Sequence, residues 1–375
     1  MQSLQNNGFI NKRYTLLMSF FAWLMDIPNK LTPPPFRLMQ IGSLFWQSRV
    51  LYTATELNIA DHIHEDSVSI QELAETLSLH EPSLYRLMRM LCGMGIFHEP
   101  KHGCFTHNKL SKPLVSDHPH SVRHMILMHN HQDMSQPWMS SLSEGIKTGQ
   151  SPFSLRHGED MFTHMDSHLE LNALFTSAMT SVESLTGLEY LSDFDWKQFD
   201  RLIDVGGSRG SKSLSILAAN PSLTATVFDR TTVVKGAKSY WLNEKIGKAV
   251  LERIDFVGGD FLVDPLPEAT SSKNLYLFIA VFHLLSDQDA VHLLQKSRIA
   301  MGDSRSKIAI ADAILPETQA TLTDASFDMQ MFMGTNGKER TEKEWLTLFA
   351  QAGFELIEIV SIRTFASVLI IQPNK

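Results

Sequence analysis

The chain has 375 residues, of which 43% are hydrophobic and 20% are charged, and its 33 Lys and Arg against 41 Asp and Glu give a net charge of −8. This composition excludes a disordered, collagen-like or coiled-coil protein, and the length favours two domains. Binding of nucleic acid is disfavoured, because phosphate recognition needs a basic face. Two cysteines, Cys92 and Cys104, are too few for a disulfide framework and predict a reduced, cytoplasmic protein.

An apolar stretch lies near the N-terminus, at residues 15–25, after Lys12 and Arg13. It is shorter than the roughly 20 apolar residues that cross a bilayer, and no small-residue cleavage site follows it. A helix buried against a partner subunit is therefore favoured over a signal peptide or a membrane anchor. The prolines within residues 32–35 predict a stiff spacer after this helix.

The next region predicts three helices. Ser69 precedes an apolar run and Glu72 follows three positions later, which is the pattern of a capping box at the start of a helix. Ser83 is predicted to open the following helix, whose apolar side chains recur at spacings of three and four. Gly93 and Gly95 are predicted to end it.

Two short strands, at residues 96–99 and 104–106, are predicted to form a hairpin after these helices. Three helices and a hairpin are typical of a winged-helix domain, which serves either DNA binding or dimerisation. Only Arg86 and Arg89 add positive charge to the predicted recognition helix, and the whole chain is acidic. Dimerisation is therefore favoured over DNA binding.

The segment that follows predicts a helical connector to the second domain. Its large apolar side chains are interpreted mainly as core, with some of them facing a substrate: Trp138, Phe153, Phe162, Phe175 and Met179. His129 and His131 have the spacing of half a metal site. The sequence offers them no partner acids or cysteines at ligand spacing, so we predict no metal.

The C-terminal half alternates between strands and helices. The predicted strands are residues 201–205, 225–229, 254–257, 274–282, 307–311, 356–362 and 367–371. The predicted helices are residues 212–219, residues 287–301 and one that Thr341 and Glu344 cap and Gly353 ends. This order predicts a doubly wound α/β sheet whose last two strands form an antiparallel hairpin at one edge.

A glycine-rich loop, Asp204-Val-Gly206-Gly207-Ser-Arg-Gly210, joins the first strand to the first helix of this half. Glycine lets the backbone approach a ligand closely, and the helix N-terminus that follows attracts a carboxylate or a phosphate. Asp229 ends the next strand, where an acid accepts hydrogen bonds from both ribose hydroxyls. These features together predict a cofactor that contains a nucleoside.

The type of cofactor follows from the residues around the loop. The dinucleotide spacing Gly-x-Gly-x-x-Gly is not matched from either Gly206 or Gly207. Asp204 suits a cationic sulfonium ligand with a free amino group better than it suits a pyrophosphate. The third strand ends in Asp260 and Phe261, where the acid can accept a hydrogen bond from an adenine amine and the ring can cover its face.

Several ordered blocks resemble the S-adenosylmethionine-dependent O-methyltransferases of the plant caffeate and animal acetylserotonin type, over residues 36–372. The blocks are Asp204-Val-Gly-Gly207, Val227-Phe-Asp229, Gly259-Asp-Phe-Leu-Val-Asp-Pro265, His283 with Ser286-Asp287, Ile314-Leu-Pro316, Gly337-Lys-Glu-Arg-Thr341 with Glu344-Trp345, and Ala352-Gly-Phe354. The resemblance implies a class I methyltransferase (Rossmann-like) sheet with an N-terminal α-helical, winged-helix-like dimerisation domain. It also implies a homodimer that uses S-adenosylmethionine, releases S-adenosylhomocysteine and needs no metal.

The predicted domains are an N-terminal extension at residues 1–35, a winged-helix-like dimerisation domain at 36–115, a helical connector at 116–195 and a catalytic domain at 196–375. The cofactor-binding residues that we assign with the resemblance are Asp204, Gly206, Gly207, Asp229, Asp260 and Phe261. The implied general base is His283, flanked by Asp312 and Glu339. The assigned substrate-binding residues are Phe175 and Met179, which match helix positions that line the methyl-transfer site, together with Met128 and Trp138.

The chemistry explains why a histidine is expected after the fourth strand. A methyl sulfonium is already a strong electrophile, so the enzyme must align an oxygen nucleophile and remove its proton. A neutral imidazole can take the proton of a phenol, whose pKa is about 10, and a carboxylate beside the ring stabilises the imidazolium that forms. His283 lies where open α/β sheets place their chemistry. We therefore predict methyl transfer to the hydroxyl, chiefly phenolic, of a small aromatic or polyketide-like metabolite.

The chain departs from the family pattern around this histidine. Leu284 and Leu285 stand where the family has Asp-Trp, and Ile279 replaces a basic residue often found four positions before the base. Asp312 stands where the family has a glutamate. These differences predict a more apolar pocket. Two alternatives stay open: an enzyme that retains the cofactor for a decarboxylation, hydroxylation or pericyclic reaction, and a winged-helix regulator that senses a metabolite.

Overall fold

The structure is a computed structural model that describes residues 31–64, 66–185, 190–244, 246–271, 273–302, 304–362 and 366–374, and residues 13, 16, 17, 20, 24, 27 and 30 singly. The chain divides into two compact units, residues 17–187 and residues 188–375. Most of the apolar stretch at 15–25 lies outside the described residues. None of the helices in the described part of the chain has the length and apolar character needed to cross a membrane.

The unit of residues 17–187 begins with a winged-helix arrangement. Its elements are helix α1 (Pro34–Glu56), strand β1 (Val68–Ser69), helices α2 (Ile70–Leu77) and α3 (Glu81–Gly93), and strands β2 (His98–Lys101) and β3 (Cys104–Thr106). Within the described residues, β3 pairs antiparallel with both β1 and β2. Leu73, Met88 and Phe105 lie in the core between these helices and strands. The three helices and the hairpin predicted from the sequence are confirmed.

The helix starts in this region show one correct and one wrong prediction. The hydroxyl of Ser69 accepts a hydrogen bond from the backbone N–H of Glu72 at 3.1 Å and caps α2, as predicted. The prediction that Ser83 opens α3 is wrong, because the helix begins two residues earlier, at Glu81. Pro82 fits the first turn, where its missing N–H costs no hydrogen bond. The Ser83 hydroxyl instead lies 2.9 Å from Nδ1 of His80.

The rest of this unit is helical, as predicted. Its helices are α4 (Arg123–Asn130), α5 (Gln132–Ser140), α6 (Leu142–Thr148), α7 (Pro152–His157), α8 (Met161–Ser167) and α9 (Leu169–Leu185). Helix α9 packs against α4 and α8, and α5 packs against α7. Short 3-10 turns at Ile59–His62 and Lys112–Leu114 join the earlier elements.

The unit of residues 188–375 carries the α/β sheet. Its helices are α10 (Tyr190–Asp193), α11 (Ser211–Ala219), α12 (Thr231–Val234), α13 (Ala237–Asn243), α14 (Lys248–Leu251), α15 (Asp287–Met301), α16 (Leu322–Gly334) and α17 (Glu342–Ala352). Its strands are β4 (Arg201–Val205), β5 (Thr224–Asp229), β6 (Ile254–Gly258), β7 (Asn274–Ile279), β8 (Lys307–Asp312), β9 (Ile314–Leu315), β10 (Arg340–Thr341), β11 (Phe354–Ser361) and β12 (Ser367–Pro373). The described residues also include 3-10 turns at Trp196–Gln198 and Phe282–Leu284.

Seven of the described strands form one sheet in the order β11-β12-β8-β7-β4-β5-β6. Strands β6, β5, β4, β7 and β8 run parallel, so their carboxyl ends meet at one edge. Strand β12 runs antiparallel to both β8 and β11, which confirms the predicted edge hairpin. Buried apolar side chains cover both faces of the sheet, as a doubly wound fold requires. The short strands β9 and β10 pair separately and in parallel.

The predicted strand at 274–282 is too long, and the difference creates the site. Strand β7 ends at Ile279, because Ala280 adopts a left-handed conformation with φ of 55°. Its N–H still donates to the carbonyl of Ala311 at 3.0 Å, so the turn stays attached to β8. The chain then forms the 3-10 turn that carries His283 at the carboxyl edge of the sheet.

Candidate active site

The glycine-rich loop after β4 is packed too closely to accept side chains. Gly206 has φ of 77°, and its N–H donates to the carbonyl of Phe228 at 2.8 Å. A Cβ at this position would lie 2.6 Å from Cγ2 of Val281. A Cβ at Gly207 would lie 2.5 Å from the carboxyl carbon of Asp204. The loop therefore rests directly on the strand ends, which only glycine permits at these two positions.

Asp204 lies beneath this loop. Its side chain is buried, and its Oδ2 accepts a hydrogen bond from the hydroxyl of Ser213 at 2.7 Å. Its carboxylate therefore ties the end of β4 to helix α11.

Asp229, the last residue of β5, is held rigidly. One carboxylate oxygen accepts the N–H of Ser208 at 2.7 Å, and the other accepts the N–H of Arg230 at 2.7 Å. Burial raises the pKa of Asp229 above its ordinary value, although both N–H donors oppose the rise. Each oxygen keeps a second lone pair, so this fixed carboxylate can still accept hydrogen bonds from two hydroxyl groups.

Asp260 and Phe261 follow β6 at the same edge. The side chain of Asp260 is exposed, and its Oδ1 accepts the N–H of Leu262 at 2.8 Å. The N–H of Asp260 donates to Oδ2 of Asp264 at 2.8 Å, which fixes the turn. Phe261 is half-buried against the core. The sheet thus brings three acids to the ends of the adjacent strands β4, β5 and β6.

His283 lies between two acids that come from distant parts of the chain. Its Nδ1 is 2.9 Å from Oε1 of Glu339 and 3.7 Å from Oδ1 of Asp312. Both carboxylate side chains are 1% exposed, whereas the imidazole is 12% exposed. A carboxylate can only accept hydrogen bonds, so Nδ1 carries a proton and donates a hydrogen bond to Glu339. In the neutral ring, Nε2 therefore keeps the free lone pair.

The charges around His283 decide its protonation. Burial alone would lower the pKa of the imidazole, but the charge of Asp312 and the hydrogen bond to Glu339 outweigh burial and raise the pKa above 6.5. Burial also raises the pKa of Asp312, to about 6, against the opposing charge of His283. Proton uptake by this histidine is therefore favoured over uptake by an isolated imidazole.

The segment that carries Glu339 is fitted onto the turn that carries His283. A Cβ at Gly337 would overlap the carbonyl oxygen of His283, so the two backbones are in direct contact. The N–H of Glu339 donates to Oδ1 of Asp328, on helix α16, at 3.0 Å. These contacts set the distance between Glu339 and the imidazole.

Arg340 closes this arrangement and was not singled out from the sequence. Its side chain is fully buried, and its two terminal nitrogens donate to the carbonyls of Phe282 and Leu285, each at 2.8 Å. Its Nε donates to Oδ1 of Asp287 at 3.0 Å. The guanidinium therefore grips the 3-10 turn on both sides of His283. Only its place directly after Glu339 in the Gly337–Thr341 block could have indicated this role.

The predicted substrate-binding residues all lie in the unit of residues 17–187. Met128 is buried on α4, and Trp138 is half-buried on α5. Phe175 and Met179 are half-buried on α9, one turn apart, and the ring of Phe175 meets Phe162 edge-on with centroids 6.3 Å apart. The predicted catalytic and cofactor-binding residues all lie in the unit of residues 188–375.

Comparisons with known proteins agree with this architecture. A family model of the O-methyltransferase domain matches residues 138–355, and one of the O-methyltransferase dimerisation domain matches residues 39–117. The chain is 27% identical to the phenazine O-methyltransferase PhzM of Lysobacter antibioticus, over 90% of this chain and 95% of the relative. It is 30% identical to the 3-O-methylredipecamine 2-O-methyltransferase IpeOMT3 of Carapichea ipecacuanha, over 88% of this chain and 92% of the relative.

One solved structure with a similar fold contains two bound ligands. It is the O-methyltransferase NcsB1 of neocarzinostatin biosynthesis, in complex with S-adenosylmethionine and 2-hydroxy-5-methyl naphthoic acid. Its TM-score against this chain is 0.73 at 25% identity, and the match covers 87% of this chain and 96% of that one.

Proposed function

Because the chain belongs to the S-adenosylmethionine-dependent O-methyltransferase family, we propose that it methylates a phenolic hydroxyl of a small aromatic or polyketide-like metabolite, with His283 as the general base. The observation that carries this proposal is the imidazole of His283, held through Nδ1 by Glu339 at 2.9 Å and by Asp312 at 3.7 Å. The unit of residues 188–375 contains one other histidine, His292, whose Nε2 lies 3.2 Å from the carbonyl of Leu262.

The proton moves to Nε2 of His283. Nδ1 already donates to Glu339, so Nε2 is the nitrogen with a free lone pair. A phenol has a pKa of about 10, and the raised pKa of His283 narrows the gap that the proton must cross. The imidazolium that forms lies beside two carboxylates, which stabilise it as the oxygen loses its proton.

The acids at the strand ends fit the cofactor of the family. S-adenosylmethionine, when bound, supplies an electrophilic methyl group. Asp229 offers a fixed carboxylate for the ribose hydroxyls, and Asp260 offers an exposed carboxylate for the adenine amine. Gly206 and Gly207 bring the backbone of the loop within reach of the ligand, and Asp204 holds that loop from below. Phe261 lies next to Asp260, where its ring can cover a base.

The proposed substrate class rests on the predicted substrate-binding residues and on the relatives. Phe175, Met179, Met128 and Trp138 offer large, flat or adaptable apolar surface, which suits a planar aromatic ring. Leu284 and Leu285 add apolar character next to the base. PhzM is named for a phenazine, and NcsB1 holds a hydroxylated naphthoic acid. We therefore propose a planar, fused aromatic phenol as the substrate.

Helix α1 gives the proposed homodimer its surface. Its side chains include large apolar groups that are more than half exposed: Phe36, Leu38, Met39, Leu44, Phe45 and Trp46. The helix lies mostly within the matched dimerisation domain. Burial of this apolar surface against a second copy would remove it from water.

The test combines binding with turnover. Purified protein stripped of ligand is titrated by calorimetry with S-adenosylmethionine and S-adenosylhomocysteine and then incubated with a panel of phenols, and the product mass is measured. We expect both ligands to bind and one phenol class to gain a methyl group. His283→Gln should lower kcat by about 10²- to 10⁴-fold and keep both ligands bound. His292→Gln is the matched control and should leave kcat unchanged. Full activity in His283→Gln would contradict the proposed base and favour an enzyme that retains the cofactor for another reaction.

A further inference from the structure

A cluster of histidines and acids lies within the unit of residues 17–187, apart from the residues proposed for catalysis. Asp133, His157 and His164 each offer one ligand atom, and the three atoms lie within 4.8 Å of one another. Asp133 stands in the first turn of α5, His157 ends α7 and His164 lies in α8. Three helices therefore meet at this cluster.

The tautomer of His164 is set by its neighbour. Its Nδ1 lies 2.8 Å from Oε1 of Glu159, and because a carboxylate can only accept, Nδ1 carries the proton. In the neutral ring, Nε2 then presents a lone pair. This nitrogen is buried, and none of the described residues forms a hydrogen bond with it. It faces Oδ2 of Asp133 at 3.5 Å. Two acceptors therefore face each other in a site from which water is largely excluded.

A cation between these two atoms removes the conflict, and the distance distinguishes a metal ion from a proton. A charged N–H···O hydrogen bond is about 2.7–2.9 Å long, which is much shorter than the observed 3.5 Å. Two atoms that each lie about 2.0–2.2 Å from a tetrahedral zinc ion are about 3.3–3.5 Å apart. The separation of His164 Nε2 from Asp133 Oδ2 therefore matches that of two ligands on one zinc ion.

The surroundings have the features of a metal site. Glu159 holds the far side of the His164 ring, in the carboxylate–histidine arrangement common around bound zinc. His157 lies close to His164, with ring centroids 4.5 Å apart. Nε2 of His157 also lies 3.0 Å from the carbonyl of Asp133, which orients the ring.

We propose that Asp133, His157 and His164 bind a zinc ion, which joins α5, α7 and α8. Two imidazoles and one carboxylate are a donor set that suits Zn²⁺, with a water molecule as the fourth ligand. The sequence did not reveal the site because its ligands are separated by 24 and 7 residues. The ion would stabilise the fold, since it would bind the folded unit and not the unfolded chain.

The test uses Zn²⁺ and the full-length protein after removal of metals with a chelator. Calorimetry should show one strong site per chain, and Co²⁺ should give the intense visible absorption of a tetrahedral site. At a zinc concentration one hundred times Kd, Tm should rise by about 5–10 °C. Asp133→Asn and His164→Gln should each weaken binding at least 100-fold. Glu159→Gln should weaken it about 10- to 100-fold, because Glu159 only orients a ligand.

The controls separate this site from zinc adsorbed by surface histidines. His120→Gln removes an exposed histidine and should leave zinc affinity unchanged. Asp133 is partly exposed, so Asp133→Asn should fold even if His164→Gln does not. Either of two results would overturn the proposal: less than one strong site in the wild type, or a strong site that Asp133→Asn leaves unchanged.

Discussion

Two acidic regions at the carboxyl edge of the sheet are built in opposite ways. At the cofactor loop, both oxygens of Asp229 accept backbone N–H groups at 2.7 Å. At the base, Oδ1 of Asp312 and Oε2 of Glu339 are buried and have no hydrogen-bond partner among the described residues. The first carboxylate is electrostatically satisfied before a ligand arrives. The carboxylates of Asp312 and Glu339 are not fully satisfied, so a positive charge beside them would be stabilised.

This difference matches two different tasks. A binding carboxylate must keep its position, and two backbone donors fix it at little cost. A base must gain charge during the reaction, and two incompletely satisfied carboxylates favour that gain. The raised pKa of His283 is the visible result of this arrangement. We expect changes at the loop to affect affinity and changes at the base to affect turnover.

Among the acids of the two regions, the largest expected effect comes from Glu339→Gln. The amide nitrogen of glutamine can donate to Nδ1 of His283, which would move the ring proton to Nε2 and block proton uptake there. Loss of one charged hydrogen bond of about 1.5–3 kcal/mol lowers kcat by about 10- to 150-fold. Kd for S-adenosylmethionine should stay within twofold. Steady-state kinetics and calorimetry measure the two quantities.

Glu342→Gln is the matched control for this variant. Glu342 is exposed in the first turn of α17, three residues along the chain, and its change should leave both kcat and Kd unaltered. If Glu339→Gln instead weakened cofactor binding and spared kcat, the division between the two regions would be wrong.

The same division explains which parts of the candidate site could be predicted from the sequence. The cofactor loop is local: Asp204, the glycines and Asp229 lie within 26 residues, between two strands with clear hydrophobic patterns. The seven strands of the large sheet and helices α11, α15 and α17 were accordingly predicted to within a few residues, whereas the short helices α10, α12, α13 and α14 were not predicted. Helix α16 was missed, because its many methionine and phenylalanine side chains show no clean helical spacing.

The residues that surround His283 could not be predicted from local sequence patterns. Glu339 lies 56 residues after His283 and reaches it through the parallel pairing of β9 with β10, two strands of two residues each. Such short strands leave no periodic signal. The buried Arg340 was missed because a charged residue is rarely fully buried unless it is paired. Its partners lie far away in the sequence. Only the resemblance to a family pointed to these residues.

Asp229→Asn should have the next largest effect, on affinity. Asparagine keeps the size of the side chain but makes the ribose acceptor neutral and turns an amide towards a backbone N–H group. We expect Kd for S-adenosylmethionine to rise about tenfold, or about 1.4 kcal/mol, while kcat at saturating cofactor changes little. Asp255→Asn, on the exposed side of β6, is the control and should bind normally. A fall in kcat at saturation, with Kd preserved, would contradict the separation of the two regions.

The smallest expected effect is a displacement of the pH profile in Asp312→Asn. The proposed mechanism requires neutral His283, whose pKa is raised above its ordinary value, so kcat/KM of the wild type should rise with pH through that raised value and then level off. Asparagine can keep the hydrogen bond from the N–H of Phe282, seen at 3.2 Å, but it removes the charge that raises the pKa of the imidazole. The rising limb should therefore move to lower pH, because the pKa of the imidazole falls.

This profile also tests which acid controls the base. Asp312 lies 3.7 Å from Nδ1 and acts through charge alone, whereas Glu339 forms the hydrogen bond. On the plateau at high pH, Asp312→Asn should therefore keep most of the wild-type kcat/KM, which Glu339→Gln should not. A limb that does not move in Asp312→Asn would mean that another group than His283 produces the pH dependence. A limb that moves while the plateau is preserved would assign the protonation of His283 to Asp312 and its orientation to Glu339.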